Sequence, residues 1–331
     1  MLSPRAESQS SLLENYRISL VILPALEILI PVFLYGVYAV LYGICMMVLR
    51  RKKTRYHLRY MIAMSTLFTL GTAGIVLTAI SVIEYGYRNL KNVMVLEEVD
   101  YLSPSFIPTM RVFFCTYVLS NFVAHAILIS RCFIVWGRRL RIIVIPAILS
   151  VACNAAGLVT AATAEHFRPV GSYSMFSLRA TGGTPLLIAF IATDLFINIL
   201  LTLMLAGRIF VITRTTREIL GSNVRTMYYS LVVVIIESGM LYPITLILLP
   251  ALASTAGSNV VAFSLVQIVG ITPTLVIVRV GLGNHVEDVQ SCLETMRAAS
   301  YPDETTLEST GLREDCIPQY QVFRAVASRE S

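Results

Sequence analysis

Polar side chains recur at helical spacing inside long apolar stretches of this chain, and they are the residues that could do chemistry. Asn121 and His125 are four residues apart, and Asp194, Asn198 and Thr202 repeat that spacing in a later stretch. Residues four apart share one face of an α-helix, so each set forms a polar stripe. An imidazole and a carboxylate in such stripes could hold a proton, bind a polar ligand or hydrogen-bond to a neighbouring helix.

Two further carboxyl side chains, Glu27 and Glu237, also interrupt apolar stretches. A charged side chain at the centre of a membrane helix costs about 2.5 to 3.5 kcal/mol on insertion scales, so each needs a partner or a purpose. Glu27 lies between Pro24 and Pro31, where it could accept from unpaired amides or face an outer vestibule. The rise of a helix places the other polar side chains roughly 14 to 20 Å from the outer helix ends. If the third, fifth and sixth helices adjoin, these residues form a ligand pocket or a switch near mid-membrane: Asn121, His125, Asp194, Asn198 and Glu237. Hydrogen bonds that only hold the bundle together are the alternative.

The elements that carry these residues follow from composition. The chain has 331 residues, of which 56% are hydrophobic and 14% charged, whereas soluble domains carry about 25% charged residues. Seven stretches reach the roughly 20 residues that a helix needs to cross the hydrocarbon core. They cover residues 20–49, 60–83, 112–136, 142–162, 185–212, 227–249 and 257–278. Apolar residues occupy all faces with small residues among them, which indicates packed helices and not barrel strands. The predicted fold is all-α, a bundle of seven transmembrane helices.

Basic residues predict the orientation of the bundle. Fourteen lie around the ends of the first, third and fifth helices and in the connections that follow, and seven lie on the opposite side. The richer side is expected in the cytoplasm, which puts the amino terminus outside and the carboxyl terminus inside. Residues 1–19 are then a short extracellular segment without a cleavable signal peptide. Short basic clusters between apolar runs also argue against nucleic-acid binding.

The segments outside the helices carry further expectations. The connections 84–110 and 163–184 are long and face outward, as solvated loops or as a lid over a pocket. Residues 281–298 have apolar side chains at spacings of three and four, typical of an amphipathic helix on the inner leaflet. Cys292 within it is a possible acylation site or a free thiol. Residues 299–331 are rich in Glu, Ser and Thr and are expected to form a disordered cytoplasmic tail.

Arg131 lies near the cytoplasmic end of the third helix. Its long side chain could extend to the membrane interface, with the guanidinium in the polar layer. Alternatively, Arg131 is a switch residue that contacts the sixth helix at the inner face.

Missing residue types exclude several classes of membrane protein. The three lysines, Lys52, Lys53 and Lys91, all lie in predicted loops, so no Schiff base to retinal can form inside the membrane. One histidine of four, His125, lies in a predicted transmembrane helix, which is too few for a zinc site built from several histidines. No GxSxG motif is present. We therefore expect no enzyme activity, cofactor or metal.

Four stretches resemble the orphan seven-helix proteins found in mushroom-forming fungi. They are RCFIVWG from Arg131, NILLTLMLAGRI from Asn198, ESGMLYP from Glu237 and PTLVIVRVGLG from Pro273. The resemblance implies a receptor-like seven-helix protein of unassigned ligand. The chain is less similar to rhodopsin-like receptors, which have an acidic residue where Ser130 precedes Arg131 and an NPxxY motif in helix seven.

Together these features predict a signalling receptor. We expect it in the plasma membrane more than in an endomembrane. An unknown small-molecule or peptide ligand would enter from outside among helices three, five, six and seven. Helix six would then move against Arg131 and the basic inner loops, where a cytoplasmic signalling partner could bind. Two alternatives stay open: a transporter or channel for a small solute, and a structural or scaffold membrane protein.

Overall fold

Helices are the only regular elements in the described part of the chain. The computed structural model describes residues 22–51, 57–95, 106–162, 185–220, 222–252 and 257–300. These residues form seven helices: α1 (Leu23–Arg51), α2 (His57–Val95), α3 (Phe106–Val135), α4 (Leu140–Ala162), α5 (Pro185–Leu220), α6 (Ser222–Ala251) and α7 (Gly257–Ser300). The predicted all-α class is therefore confirmed for the described residues.

Six of these helices are long and apolar enough to cross a bilayer. The apolar spans of α1 to α5 and of α7 contain between 23 and 30 residues, and 23 residues already extend about 34 Å at the helical rise. The remaining helix, α6, has 30 residues and includes the shorter apolar stretch Ile236–Ala251. The chain is thus a multi-pass integral membrane protein whose exposed apolar side chains contact lipid.

Several helices are longer than the sequence predicts. α2 continues to Val95 and α3 begins at Phe106, so much of the predicted outer connection 84–110 is helical. Residues 84–95 contain good helix formers and no proline, so backbone hydrogen bonding continues where the apolar run ends. The connection 163–184, the segment 1–19 and residues 301–331 lie outside the described residues.

α7 includes the segment that the sequence predicts as a separate amphipathic helix. It runs to Ser300 without a break in helical structure. The chain divides into two compact units, residues 1–278 and 279–331. Side chains after Arg279 lie outside the description, so the inner-leaflet position and the acylation of Cys292 stay predictions.

Close packing between helices depends on glycines at specific points. In α4, an added Cβ at Gly157 would lie 2.7 Å from the Phe190 ring of α5 and 3.0 Å from Val118 of α3. In α6, an added Cβ at Gly239 would lie 2.6 Å from Thr202 of α5. Small residues of this kind let membrane helices approach closely. They bring the polar stripes of α3 and α5 within reach of α4 and α6.

The helix α7 contacts α1 and α2. Gln267 donates its Nε2 hydrogen to the carbonyl of Gly71 over 2.9 Å. The buried ring of Tyr38 fits against Gly71 and Gly270, where an added Cβ at Gly270 would lie 2.5 Å from it. α7 is the most buried of the six spans, and α1 is the least buried.

Candidate functional site

A fully buried carboxylate, Asp194 of α5, is the centre of a hydrogen-bond network. Its Oδ1 accepts from Asn121 Nδ2 at 2.5 Å and from Asn198 Nδ2 at 3.3 Å. Its Oδ2 accepts from the hydroxyls of Tyr117, at 3.2 Å, and of Tyr242. The two hydroxyl oxygens lie 2.6 Å apart. One carboxylate therefore joins α3, α5 and α6.

The network lies near the middle of the membrane. Asn121 falls at the centre of the α3 span, Pro108–Val135, and Asn198 falls at the centre of the α5 span, Leu186–Val211. Tyr117, Asn121 and His125 repeat at intervals of four, so α3 presents all three on one face.

The donors around Asp194 match an ionised carboxylate. An ionised carboxylate only accepts hydrogen bonds, and two amides and two hydroxyls supply them here. Hydrogen bonds to a charged acceptor are roughly twice as strong as neutral ones. Because water is excluded, the protein itself has to supply all of this solvation.

His125 extends the network to a fourth helix. Its ring is completely buried, and its Nδ1 lies 3.1 Å from the hydroxyl of Ser150 on α4. Its Nε2 lies 2.9 Å from Asn198 Nδ2 and 3.3 Å from Asp194 Oδ1. The amide hydrogen of Asn198 needs a lone pair on Nε2, whereas the carboxylate needs a hydrogen there. One ring nitrogen cannot satisfy both partners.

The position of a single proton therefore selects between two bonding patterns. Asn198 Nδ2 also contacts the carbonyl oxygen of Asp194 at 3.0 Å, and this fixes the orientation of the amide. With a neutral ring protonated at Nδ1, Asn198 donates to Nε2 and Ser150 accepts from Nδ1. With a proton on Nε2, His125 donates to Asp194 and the Asn198 amide loses that acceptor.

No protein-family model, curated protein or solved structure matches the chain. The contacts around Asp194 and His125 are therefore the basis for assigning the chemistry of the network.

Four of the five residues predicted as pocket or switch residues meet in this network. Asn121, His125, Asp194 and Asn198 are all buried and mutually connected. Glu237 has an exposed side chain and so lies outside the buried set. Its neighbours Ser238 and Gly239 are the buried residues at this level of α6.

Sequence reasoning misses three members of the network. Tyr117 precedes Asn121 by four residues, so the stripe on α3 contains a signal for it. Tyr242 adjoins Pro243 in an apolar run, and Ser150 follows Leu149 on α4. Tyrosine and serine are common in membrane helices, so neither of these two positions stands out without a structure.

Arg131, the predicted cytoplasmic switch residue, contacts α2. Its guanidinium carbon lies 5.9 Å from the ring centre of Tyr60, and the Tyr60 hydroxyl lies 3.1 Å from Ser130 Oγ. The buried Nε of Arg131 makes no hydrogen bond in the described part of the chain. Most side chains in the first half of α6 lie outside the description, so the expected contact with α6 stays a prediction.

Glu27 joins α1 to α7. It is only 1% exposed, and its Oε1 accepts from Asn259 Nδ2 at 2.9 Å. Of the two expectations for Glu27, the geometry agrees with an amide partner and not with a side chain that faces an open vestibule. The amide comes from a side chain of α7 and not from the backbone near the prolines.

Proposed function

We propose that this protein is a receptor-like membrane protein that senses an extracellular ligand and signals by moving α6 against α3 and α5. The observation that supports this function is the contact of Tyr242 on α6 with Asp194 on α5, a buried charge that α3 also binds. Ionisable residues inside a membrane bundle usually mark function, because they are costly to keep there. A charge shared by three helices makes their packing depend on its hydrogen bonds.

α6 lacks one backbone hydrogen bond beside this contact. Pro243 follows Tyr242 and lacks the backbone hydrogen that would bind the carbonyl of Gly239, four residues earlier. Proline positions are the usual sites of bending in helices. When the bond from Tyr242 to Asp194 breaks, α6 is free to bend at the next residue.

Two states of the bundle then follow from the network. In one state, Tyr242 binds Asp194 and α6 is held against α5. In the other, His125 donates to Oδ1 of Asp194 through a protonated Nε2, and this partner draws charge away from Oδ2 and weakens the hydrogen bond from Tyr242 that holds α6. A ligand that binds one state more tightly shifts the population toward it.

The seven side chains of the network are each at most 5% exposed: Tyr117, Asn121, His125, Ser150, Asp194, Asn198 and Tyr242. Groups so deeply buried suit an internal switch better than a surface that first meets a ligand. The resemblance to receptor-like fungal proteins and the predicted outward amino terminus support a ligand that arrives from outside.

Proton-coupled transport is a second candidate, because the His125–Asp194 pair, at 3.3 Å, resembles the relays of such carriers. The polar stripe on α3 runs from Tyr117 to His125, about 12 Å at the helical rise. A route across the hydrocarbon core must cover about 30 Å. The described network spans less than half of it, which favours a switch. Proton flux into liposomes that contain the protein, abolished by Asp194→Asn, would instead support transport.

The decisive experiment measures the position of α6 with spin labels. Arg139→Cys, exposed after α3, and Val233→Cys, exposed on α6 ahead of Pro243, provide the label sites. The native cysteines are first replaced, and distances are recorded by pulsed electron resonance in nanodiscs. We expect Asp194→Asn to move the distribution toward longer distances.

Glu237→Gln is the matched control, because it neutralises a carboxylate on α6 outside the buried network. It should leave the distance distribution unchanged. If Asp194→Asn also leaves it unchanged while the protein stays folded, the network does not control α6 and the proposed signalling mechanism is wrong.

A further inference from the structure

A cleft of about 510 Å³ opens between α2 and α3 at the basic end of the bundle. Its walls are apolar and lead from Tyr60 and Ser130 at one end to Thr66 and Phe122 at the other. Thr66 and Phe122 are exposed, so the cleft faces the surroundings of the bundle. It lies apart from the buried network around Asp194.

The length of the cleft matches one leaflet of a membrane. On α3 the wall from Phe122 to Ser130 covers eight residue steps, about 12 Å at the helical rise. One leaflet contributes about half of the 30 Å hydrocarbon core. An acyl chain that lies in the cleft would thus run from the headgroup region almost to the bilayer centre.

Positive charge stands at the polar end of the cleft. Arg59 of α2 and Arg138, just after α3, both line it and are both exposed. Arg138 has a left-handed backbone, with φ near 60°, and it follows Gly137, whose φ is near 65°. This turn ends α3 and directs the chain past the cleft. Guanidinium groups bind phosphate oxygens through paired hydrogen bonds.

We propose that this cleft binds an anionic phospholipid, with one acyl chain between α2 and α3 and the phosphate between Arg59 and Arg138. Basic sites between membrane helices bind anionic headgroups in this manner. The lipid would also cover the hydrogen bond between Tyr60 and Ser130. Because Tyr60 stacks under Arg131, the bound lipid stabilises the α2–α3 contact at the basic end.

Native mass spectrometry of protein released from nanodiscs tests this site. The nanodiscs contain phosphatidylcholine with a minority of phosphatidylserine. Wild-type protein should retain one phosphatidylserine molecule in preference to phosphatidylcholine. Arg59→Gln with Arg138→Gln should weaken this retention on the order of 10- to 30-fold, since each basic residue near a membrane surface contributes about a factor of five.

The matched control is Arg139→Gln with Arg141→Gln, which removes two exposed charges at the same end that do not line the cleft. It should retain phosphatidylserine as the wild type does. An equal loss in both double variants would mean diffuse attraction to the surface and would overturn the proposal.

The acyl chain is tested by filling the cleft. Ala126 lines it and Ala155 is exposed on α4 away from it, so Ala126→Phe should abolish retention and Ala155→Phe should not. Retention that survives Ala126→Phe would contradict a chain in the cleft. The soluble headgroup glycerophosphoserine should fail to displace the lipid; complete displacement would show a phosphate site without a lipid and would also overturn the proposal.

Discussion

Tyr242 of α6 donates its hydroxyl hydrogen to Oδ2 of Asp194 on α5, one residue before a proline of its own helix. Three residues before Tyr242, Gly239 of α6 lies against Thr202 of α5. The two helices are thus held by a charged hydrogen bond and by a close backbone approach within one turn. The first contact depends on charge and the second on shape, so they can be disrupted separately.

Tyr242→Phe should lower the free energy of unfolding by about 1.5 kcal/mol. A hydrogen bond to a charged group contributes about 1.5 to 3 kcal/mol, and Tyr117 still donates to Oδ2 in this variant. Tyr42→Phe is the control, because Tyr42 bonds the neutral, half-buried Ser65 at 2.9 Å. It should cost about 0.5 to 1 kcal/mol. Chemical unfolding in detergent micelles measures both.

The double variant Tyr117→Phe with Tyr242→Phe should cost more than the two single variants together. Each single change leaves one hydroxyl on Oδ2, whereas the double change removes both described donors. A buried acceptor without a partner adds its desolvation cost of about 1 to 3 kcal/mol. Strictly additive effects would show that the two tyrosines do not share Oδ2.

Asp194→Asn should destabilise the bundle by about 1 to 3 kcal/mol, the cost of leaving a buried donor without an acceptor. The new amide keeps one acceptor atom, and its other atom is a donor. In either orientation this donor faces groups that donate to Asp194, either the two hydroxyls on Oδ2 or the two amides on Oδ1. Glu237→Gln makes the same kind of change on the outside of the bundle and should not lower the stability, because an amide costs less than a carboxylate beside lipid. Thermal unfolding of the two variants in the same detergent compares them, and similar losses would contradict a network centred on Asp194.

The sequence predicts more of the fold than of the site. Hydrophobic length alone predicts the helices, and spacing of four predicts that Asn121 and His125 share a face. The position of Glu237 could not be predicted, because the outside of a bundle in lipid is as apolar as its interior. An apolar pattern on all faces therefore does not show which side of α6 faces inward.

The hydrogen-bond partners of the predicted residues also could not be predicted from the sequence. Asp194 needs donors from neighbouring helices, and those depend on which helices adjoin and at what height. Ser150 reaches His125 because α4 packs closely on α3 and α5 through Gly157. That approach is a property of the packed bundle and not of any one helix.

The orientation of the bundle can be tested on α3 alone. Arg111 and Arg138 are exposed near opposite ends of this helix. In a background without native cysteines, a membrane-impermeant maleimide should label Arg111→Cys on intact cells and should label Arg138→Cys only after the membrane is opened. The excess of basic residues near Arg138 is the reason. The reverse pattern would put the carboxyl terminus outside and the lipid cleft in the outer leaflet.

Gly239→Ala should destabilise the protein by about 1 to 3 kcal/mol, the usual cost of overpacking. The added Cβ would lie 2.6 Å from Cγ2 and 2.8 Å from Oγ1 of Thr202, so α6 has to move away from α5. Gly207→Ala on α5 is the matched control, because nothing lies within 4 Å of its added Cβ. Alanine there should raise stability by about 0.5 to 1 kcal/mol, since glycine weakens a helix interior by that amount.

Thr202→Ala provides the rescue, because it removes the two nearest atoms that the new methyl group would meet and leaves only Cβ, at 3.3 Å. In the Thr202→Ala background, Gly239→Ala should be neutral or stabilising, and the double-mutant cycle should give a coupling energy of about 1 to 3 kcal/mol. A cost that persists in this background would place the clash elsewhere. Gly239→Ala alone should also lengthen the spin-label distance between α3 and α6, because the packing of α6 on α5 fails while the carboxylate of Asp194 stays intact. The switch proposed here requires that either kind of disruption, of charge or of shape, releases the same helix.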